Sequence, residues 1–113
     1  MKIKTILLVS SLMLMSGFNV WAESGAVKIL SPADHAVLPA NQTNTLTYDV
    51  TPGTGGDHFH VWVDSDRGPA IHELKGAYDL PPMSPGHHTI TLKVVDSGHV
   101  PTGPQASVEV TAK

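Results

Sequence analysis

The sequence predicts an all-β fold, a single immunoglobulin- or fibronectin-like antiparallel β-sandwich of about seven strands. A length of 113 residues leaves room for one domain. Short runs of β-branched and apolar residues alternate with polar residues, and no stretch keeps a helical period. The nine prolines and ten glycines cluster between these runs, where turns between strands are expected.

The first 22 residues have the pattern of a secretory signal peptide. Two lysines precede an apolar run, and small or permissive residues occupy the positions before a cleavage site after Ala22. The alternative is a transmembrane anchor, but the unbroken apolar run is well short of the ~20 residues that a span needs. We therefore expect a periplasmic β-sandwich domain over residues 23–113, with no transmembrane segment in the mature chain.

The first half of this domain contains three predicted strands. The apolar run 26–30 ends at a Ser-Pro pair, and 36–38 is a short continuation that ends before a proline. In 43–50, the apolar residues Leu46, Tyr48 and Val50 alternate with polar residues, as in a strand with one face on a core. The segment 51–57 is rich in glycine and is predicted to be a loop.

The second half repeats this alternation. The strand 58–64 alternates polar and apolar side chains and turns into 70–75, its expected hairpin partner. Further strands are predicted at 77–80, 87–96 and 105–112.

The composition excludes several classes of function and singles out histidine. Seven histidines equal the number of Lys and Arg together, and the net charge is −3. The absence of cysteine excludes disulfides, thiol catalysis and cysteine-type zinc sites. The acidic balance disfavours nucleic acid as a partner. No nucleophile elbow, phosphate loop or placed pair of acids is present, so we do not expect an enzyme.

His58 and His60 point to the same side of their strand because side chains repeat every two residues. Imidazole is the commonest neutral metal ligand, and a His-x-His strand presents two nitrogens to one point. The alternative is a pair of solvated histidines on an outward sheet face.

A third histidine is expected at the same pole of the sandwich. Strands 58–64 and 87–96 are expected to be antiparallel neighbours, which places the loop 97–104 beside the start of the first. The predicted metal site consists of His58, His60 and His99 as imidazole ligands, with Asp96 or Asp57 as a carboxylate ligand or orienting group. Such a donor set suits Cu(II) or Zn(II), and the lack of thiolates argues against a dedicated Cu(I) site.

The other four histidines are predicted to be ordinary structural or surface residues. If the hairpin is tight, His72 lies opposite Trp62 as a packed cross-strand pair. His87, His88 and His35 are expected at the opposite pole, where one of the adjacent pair His87 and His88 must face inward.

Two parts of the sequence resemble periplasmic copper-resistance proteins of the CopC type. The matching features are 31–38 (SPADHAVL), Leu80, Pro85-Gly86, the alternating strand 89–95, the loop 96–99 (DSGH), Gly103, Val108 and Val110. In that family the Asp and His of the loop join an N-terminal histidine in binding Cu(II), so the resemblance implies Asp96 and His99 as ligands. Here the predicted mature N-terminus is Glu23 and the loop is one residue longer. We expect the His58–His60 strand to replace the missing ligand.

The chain also resembles a group of small secreted, histidine-rich, immunoglobulin-like sandwiches of unassigned function. The matching segments are 58–64, 85–87 and 96–101, and the resemblance implies the fold rather than an activity.

The sequence therefore predicts a periplasmic protein that binds a divalent metal ion, copper first and zinc second, for buffering or delivery. The alternative is a non-metal interaction module that docks another periplasmic protein or an envelope component through a strand face or edge. A small hydrolytic metal enzyme is a third and weaker alternative.

Overall fold

Alternating apolar side chains bring residues 24–113, the part that the computed structural model describes, into two β-sheets. The strands in this part of the chain are β1 (Ala26–Ser31), β2 (Ala36–Leu38), β3 (Asn44–Thr51), β4 (His58–Val63), β5 (Asp66–Ile71), β6 (Lys75–Leu80), β7 (Gly86–Val95) and β8 (Pro101–Ala112). One sheet has the order β1-β3-β6 and the other has the order β2-β8-β7-β4-β5. The predicted signal peptide lies outside the described residues. No helix among those residues is long and apolar enough to span a membrane.

The predicted all-β sandwich is confirmed, with eight strands in residues 24–113 instead of about seven. β8 begins four residues before the predicted start of that strand, at Pro101. Within the described chain, β2 pairs only with the last part of β8, Val110 to Ala112. The first part of β8 therefore has an edge without a partner strand there, and such an edge tolerates Pro101 and Pro104.

The core lies between the sheets, where the apolar faces of β3, β4 and β7 meet. Its fully buried side chains include Leu46, Tyr48, Phe59, Val61, Ile90, Leu92 and Val94. The rings of Tyr48 and Phe59 meet edge to face with centroids 4.9 Å apart. Burial of a large apolar side chain contributes about 1.5–3 kcal/mol, and an aromatic pair adds about 0.5–1.5 kcal/mol. This packing fixes the inner face of β4, so its histidines lie on the opposite face.

β4 and β7 are antiparallel neighbours, as predicted, with His58 opposite Val95. The pairing continues one residue further, since the backbone N–H of Asp57 donates to the Val95 carbonyl oxygen at 2.8 Å. The loop that follows β7 therefore lies beside the start of β4, which brings His99 to His58.

Candidate metal centre

Three imidazoles meet at this pole of the sandwich. His58 Nε2 lies 3.2 Å from His99 Nδ1, and His60 Nε2 lies 3.3 Å from the same nitrogen. One ligand nitrogen from each ring lies within 4.8 Å of the other two. The structure thus brings together the three histidines that the sequence predicted as imidazole ligands.

His58 and His60 are buried, with 3% and 4% of their surfaces exposed, although they lie on the outer face of β4. The ring of His99 covers both, at centroid distances of 4.8 Å from His58 and 5.4 Å from His60. The ring of His72 also packs against His58, with the centroids 4.8 Å apart. The two histidines are therefore not the solvated pair that the sequence left open as an alternative.

Each buried imidazole is held through its Nδ1 atom. His60 Nδ1–H donates to the carbonyl oxygen of Gly68 at 2.8 Å, and a carbonyl can only accept. His58 Nδ1–H donates to Oδ2 of Asp57 at 2.8 Å. With the proton on Nδ1, the Nε2 atom of each ring has a free lone pair. Carboxylates and backbone carbonyls orient metal-binding imidazoles in this way.

The distances from His99 Nδ1 to the other two nitrogens match those between neighbouring ligands of one ion. With metal–nitrogen bonds of ~2.0–2.1 Å, separations of 3.2 and 3.3 Å correspond to N–metal–N angles of about 100–110°, near the tetrahedral value. Hydrogen bonding alone satisfies the group poorly, because the single Nδ1 hydrogen of His99 can reach the two Nε2 acceptors only by being shared between them.

The group is open on one side. His99 is exposed, whereas the other two rings are buried. Three protein ligands around a tetrahedral ion leave a fourth position for water or another exchangeable ligand.

Comparison with known proteins identifies the fold. Fibronectin(III)-like modules of Clostridium thermocellum CbhA match with a TM-score of 0.64 and 20% identity, over 77% of this chain and 96% of theirs. The CARDB domain of a Pyrococcus furiosus protein, solved in complex with di-metal ions, matches with a TM-score of 0.57 and 16% identity, over 80% and 93% of the two chains. The protein is an immunoglobulin-like β-sandwich.

No protein-family model matches the chain, and no curated protein matches it either. The two structural similarities show the fold and assign no family. The resemblance to CopC-type proteins therefore stays a prediction.

Asp96 builds the loop that carries His99. Its Oδ1 atom accepts hydrogen bonds from the backbone N–H groups of Gly98 and Val100, both at 2.9 Å. His99 has a φ of 67°, a left-handed conformation that is uncommon outside glycine, and its N–H donates to the Asp96 carbonyl oxygen. Asp96 belongs to neither group of clustered ligand atoms found among residues 24–113. Of the two predicted carboxylates, Asp57 is the one that orients an imidazole.

The prediction that His72 lies opposite Trp62 is wrong. The chain turns at Asp64 and Ser65, so β5 begins at Asp66 and Trp62 pairs with Arg67. His72 instead follows the end of β5, and its ring lies against His58 with an interplanar angle of 34°. The Asp-Ser pair after β4 was a possible signal for this short turn. His72 also completes a second group of clustered ligand atoms, with Asp57 and His58.

The other three histidines lie at the opposite pole, as predicted. His35 and His87 line one shallow cavity there, beside Glu109. His88 is the inward-facing member of the adjacent pair and bonds to Asp64 Oδ2 and to the Ser84 carbonyl oxygen, both at 2.7 Å.

Proposed function

We propose that the protein binds one divalent transition metal ion, Cu(II) or Zn(II), through His58, His60 and His99. The convergence of three imidazole nitrogens at 3.2 and 3.3 Å carries this proposal. Two of these rings are buried and held in one tautomer by Asp57 and Gly68, so the site is organised before an ion arrives. The similarity to the CARDB domain concerns the fold alone and adds nothing to this argument.

The donor set supports both ions for different reasons. Angles near the tetrahedral value suit Zn(II), which has no geometric preference of its own. Nitrogen ligands bind Cu(II) more tightly than Zn(II) in the usual order of divalent metals. With three protein ligands and an exposed His99, the ion is exchangeable, which fits metal buffering or delivery. We propose the periplasm as the location, on the basis of the leader pattern in residues 1–22.

A titration with Zn(II) tests the site in protein purified without an affinity tag. We expect His99→Ala and His58→Ala each to weaken binding by ~10-fold or more, because each removes a ligand. His35→Ala, at the opposite pole, is the matched control and leaves the affinity unchanged. Unchanged binding in the triple variant His58→Ala/His60→Ala/His99→Ala contradicts the proposal, provided that circular dichroism shows the variant to be folded.

A docking module remains the second candidate. Leu30 and Val37 are large apolar residues that lie exposed on β1 and β2, each at the edge of its sheet in the described chain. An extended segment of a partner adds to such an edge through backbone hydrogen bonds. Elemental analysis of the untagged protein separates the two candidates, since a folded protein that takes up no metal favours docking.

A further inference from the structure

His58 belongs to two groups of ligand atoms, one on each side of its ring. Nε2 faces His60 and His99, whereas Nδ1 lies 2.8 Å from Asp57 Oδ2. His72 lies against the same ring, and Asp57, His58 and His72 each place one ligand atom within 4.8 Å of the others. One buried imidazole therefore connects two adjacent sets of metal-binding side chains.

We propose that a second divalent cation, Cu(II), binds between Asp57, His58 and His72, and that the His58 ring bridges the two ions. This inference rests on the proposed function, because the first ion occupies Nε2 of the same ring. An orienting role in the first site explains Asp57, and ring packing explains the burial of His58, but neither explains why a ligand atom of His72 lies beside those of Asp57 and His58. Among the described residues, none is hydrogen-bonded to the ring nitrogens of His72, so these nitrogens are available to an ion.

Binding of the second ion exchanges a proton for a cation. The proton on His58 Nδ1 leaves for solvent, and the lone pair that it leaves binds the second ion. Asp57 Oδ2 changes from a hydrogen-bond acceptor to a metal ligand, and no electron is transferred.

The donor set of the second group favours copper over zinc. Imidazole nitrogens and a carboxylate oxygen bind Cu(II) more tightly than Zn(II) in the usual order of divalent metals. Asp57 and His72 are both exposed, so the second ion can enter from solvent.

The test uses the whole protein with Cu(II) at one and at two equivalents. Equilibrium dialysis is expected to give two ions per chain for the wild type and one for His72→Gln. His35→Gln is the matched control and binds two ions. Electron paramagnetic resonance of the two-copper wild type is expected to give less than two spins per chain, because a bridging imidazolate couples the ions. The one-copper His72→Gln variant gives a full spin.

The possible failures are distinguishable. A wild type that binds one ion overturns the second site and leaves the proposed function intact, whereas no uptake overturns both. Two ions in His72→Gln, or two uncoupled spins in the wild type, also overturn the bridge. The Zn(II) affinity of His72→Gln is expected to stay within about twofold of the wild type, since His72 is not a ligand of the first ion. A larger loss contradicts the assignment of His72 to a separate site.

Discussion

His60 Nδ1 donates a 2.8 Å hydrogen bond to the carbonyl oxygen of Gly68, and this bond joins a predicted metal ligand to the neighbouring strand. The pairing of β4 with β5 shifts its register between His60 and Trp62. Such an irregularity changes the direction of a nearby side chain, here that of His60. A Cβ atom on Gly68 would lie 2.7 Å from the Val61 carbonyl oxygen, so only glycine allows this close approach.

Gly68→Ala is therefore expected to weaken Zn(II) binding by ~10–100-fold, the usual cost of losing an orienting contact to a metal ligand. The added methyl group pushes β5 away from Val61 and moves the carbonyl that holds His60. Calorimetric titration of the folded variant measures the change. Gly76→Ala is the control, because a Cβ there meets only the end of the Tyr48 side chain, no closer than 3.5 Å. Equal affinities in the two variants contradict the role of Gly68.

Substitutions of Asp96 distinguish a loop-building residue from a charged ligand. Asp96→Ala removes the Oδ1 acceptor for the N–H groups of Gly98 and Val100, so His99 loses its position and Zn(II) affinity is expected to fall by ~10-fold. Asp96→Asn keeps an oxygen acceptor and is expected to retain most of the affinity. If Asp96→Asn lowers the Zn(II) affinity as much as Asp96→Ala, the negative charge is required. Asp96 then acts as a ligand, as the resemblance to CopC-type proteins implies.

The sequence predicts the common pole of His58, His60 and His99 correctly because two rules suffice for it. Side chains alternate along a strand, and the start of one antiparallel strand lies beside the end of its neighbour. Neither rule predicts burial on the outer face. His58 and His60 are buried by the rings of His99 and His72, which come from two separate loops. Only the three-dimensional arrangement of those loops shows this.

The position of His72 could not be predicted because hairpin register depends on the turn. The turn at Asp64 and Ser65 sets Val63 opposite Asp66, and the irregularity near His60 then shifts the pairing by one more residue. Small errors in turn position therefore move a side chain to a different neighbour. The same limit explains why Asp57, whose contact with His58 depends on loop geometry, was predicted only as one of two carboxylates.

Zn(II) is expected to stabilise the folded protein, and acid is expected to remove that effect. Binding at a free concentration of 100 times Kd adds about 2.7 kcal/mol to the free energy of unfolding. Imidazole must be neutral to bind metal, so protons compete below about pH 6. The unfolding temperature, measured with Zn(II) and with a chelator at pH 7.5 and at pH 5.5, gives the stabilisation by Zn(II) at each pH. The triple histidine variant is the control. If Zn(II) raises its unfolding temperature as much as that of the wild type, the site is excluded.

At the opposite pole, His88 and Asp64 form a bonded pair. Hydrogen bonds to Asp64 and to the Ser84 carbonyl oxygen raise the pKa of His88 above its ordinary 6.5, against the opposing effect of burial. Burial alone would raise the pKa of Asp64, but hydrogen bonds from His88 and from the Thr89 amide outweigh it and lower that pKa below 3.8. The charged forms of both groups are therefore favoured in the folded protein.

The stability that this pair contributes is expected to fade above neutral pH. The raised pKa of His88 gives a stabilisation that is complete below pH 6.5 and is lost as the pH rises through the pKa of the folded state. The lowered pKa of Asp64 gives a stabilisation that is present above pH 3.8. Urea unfolding with a chelator present is therefore expected to separate wild type from His88→Gln most at pH 5–6, by up to ~1 kcal/mol, since Asp64 is half exposed. By pH 8.5 the difference shrinks. His87→Gln, at the exposed neighbouring position, is the matched control substitution. A His88→Gln difference that grows with pH contradicts the pair, because it requires a neutral His88 to be the stabilising form.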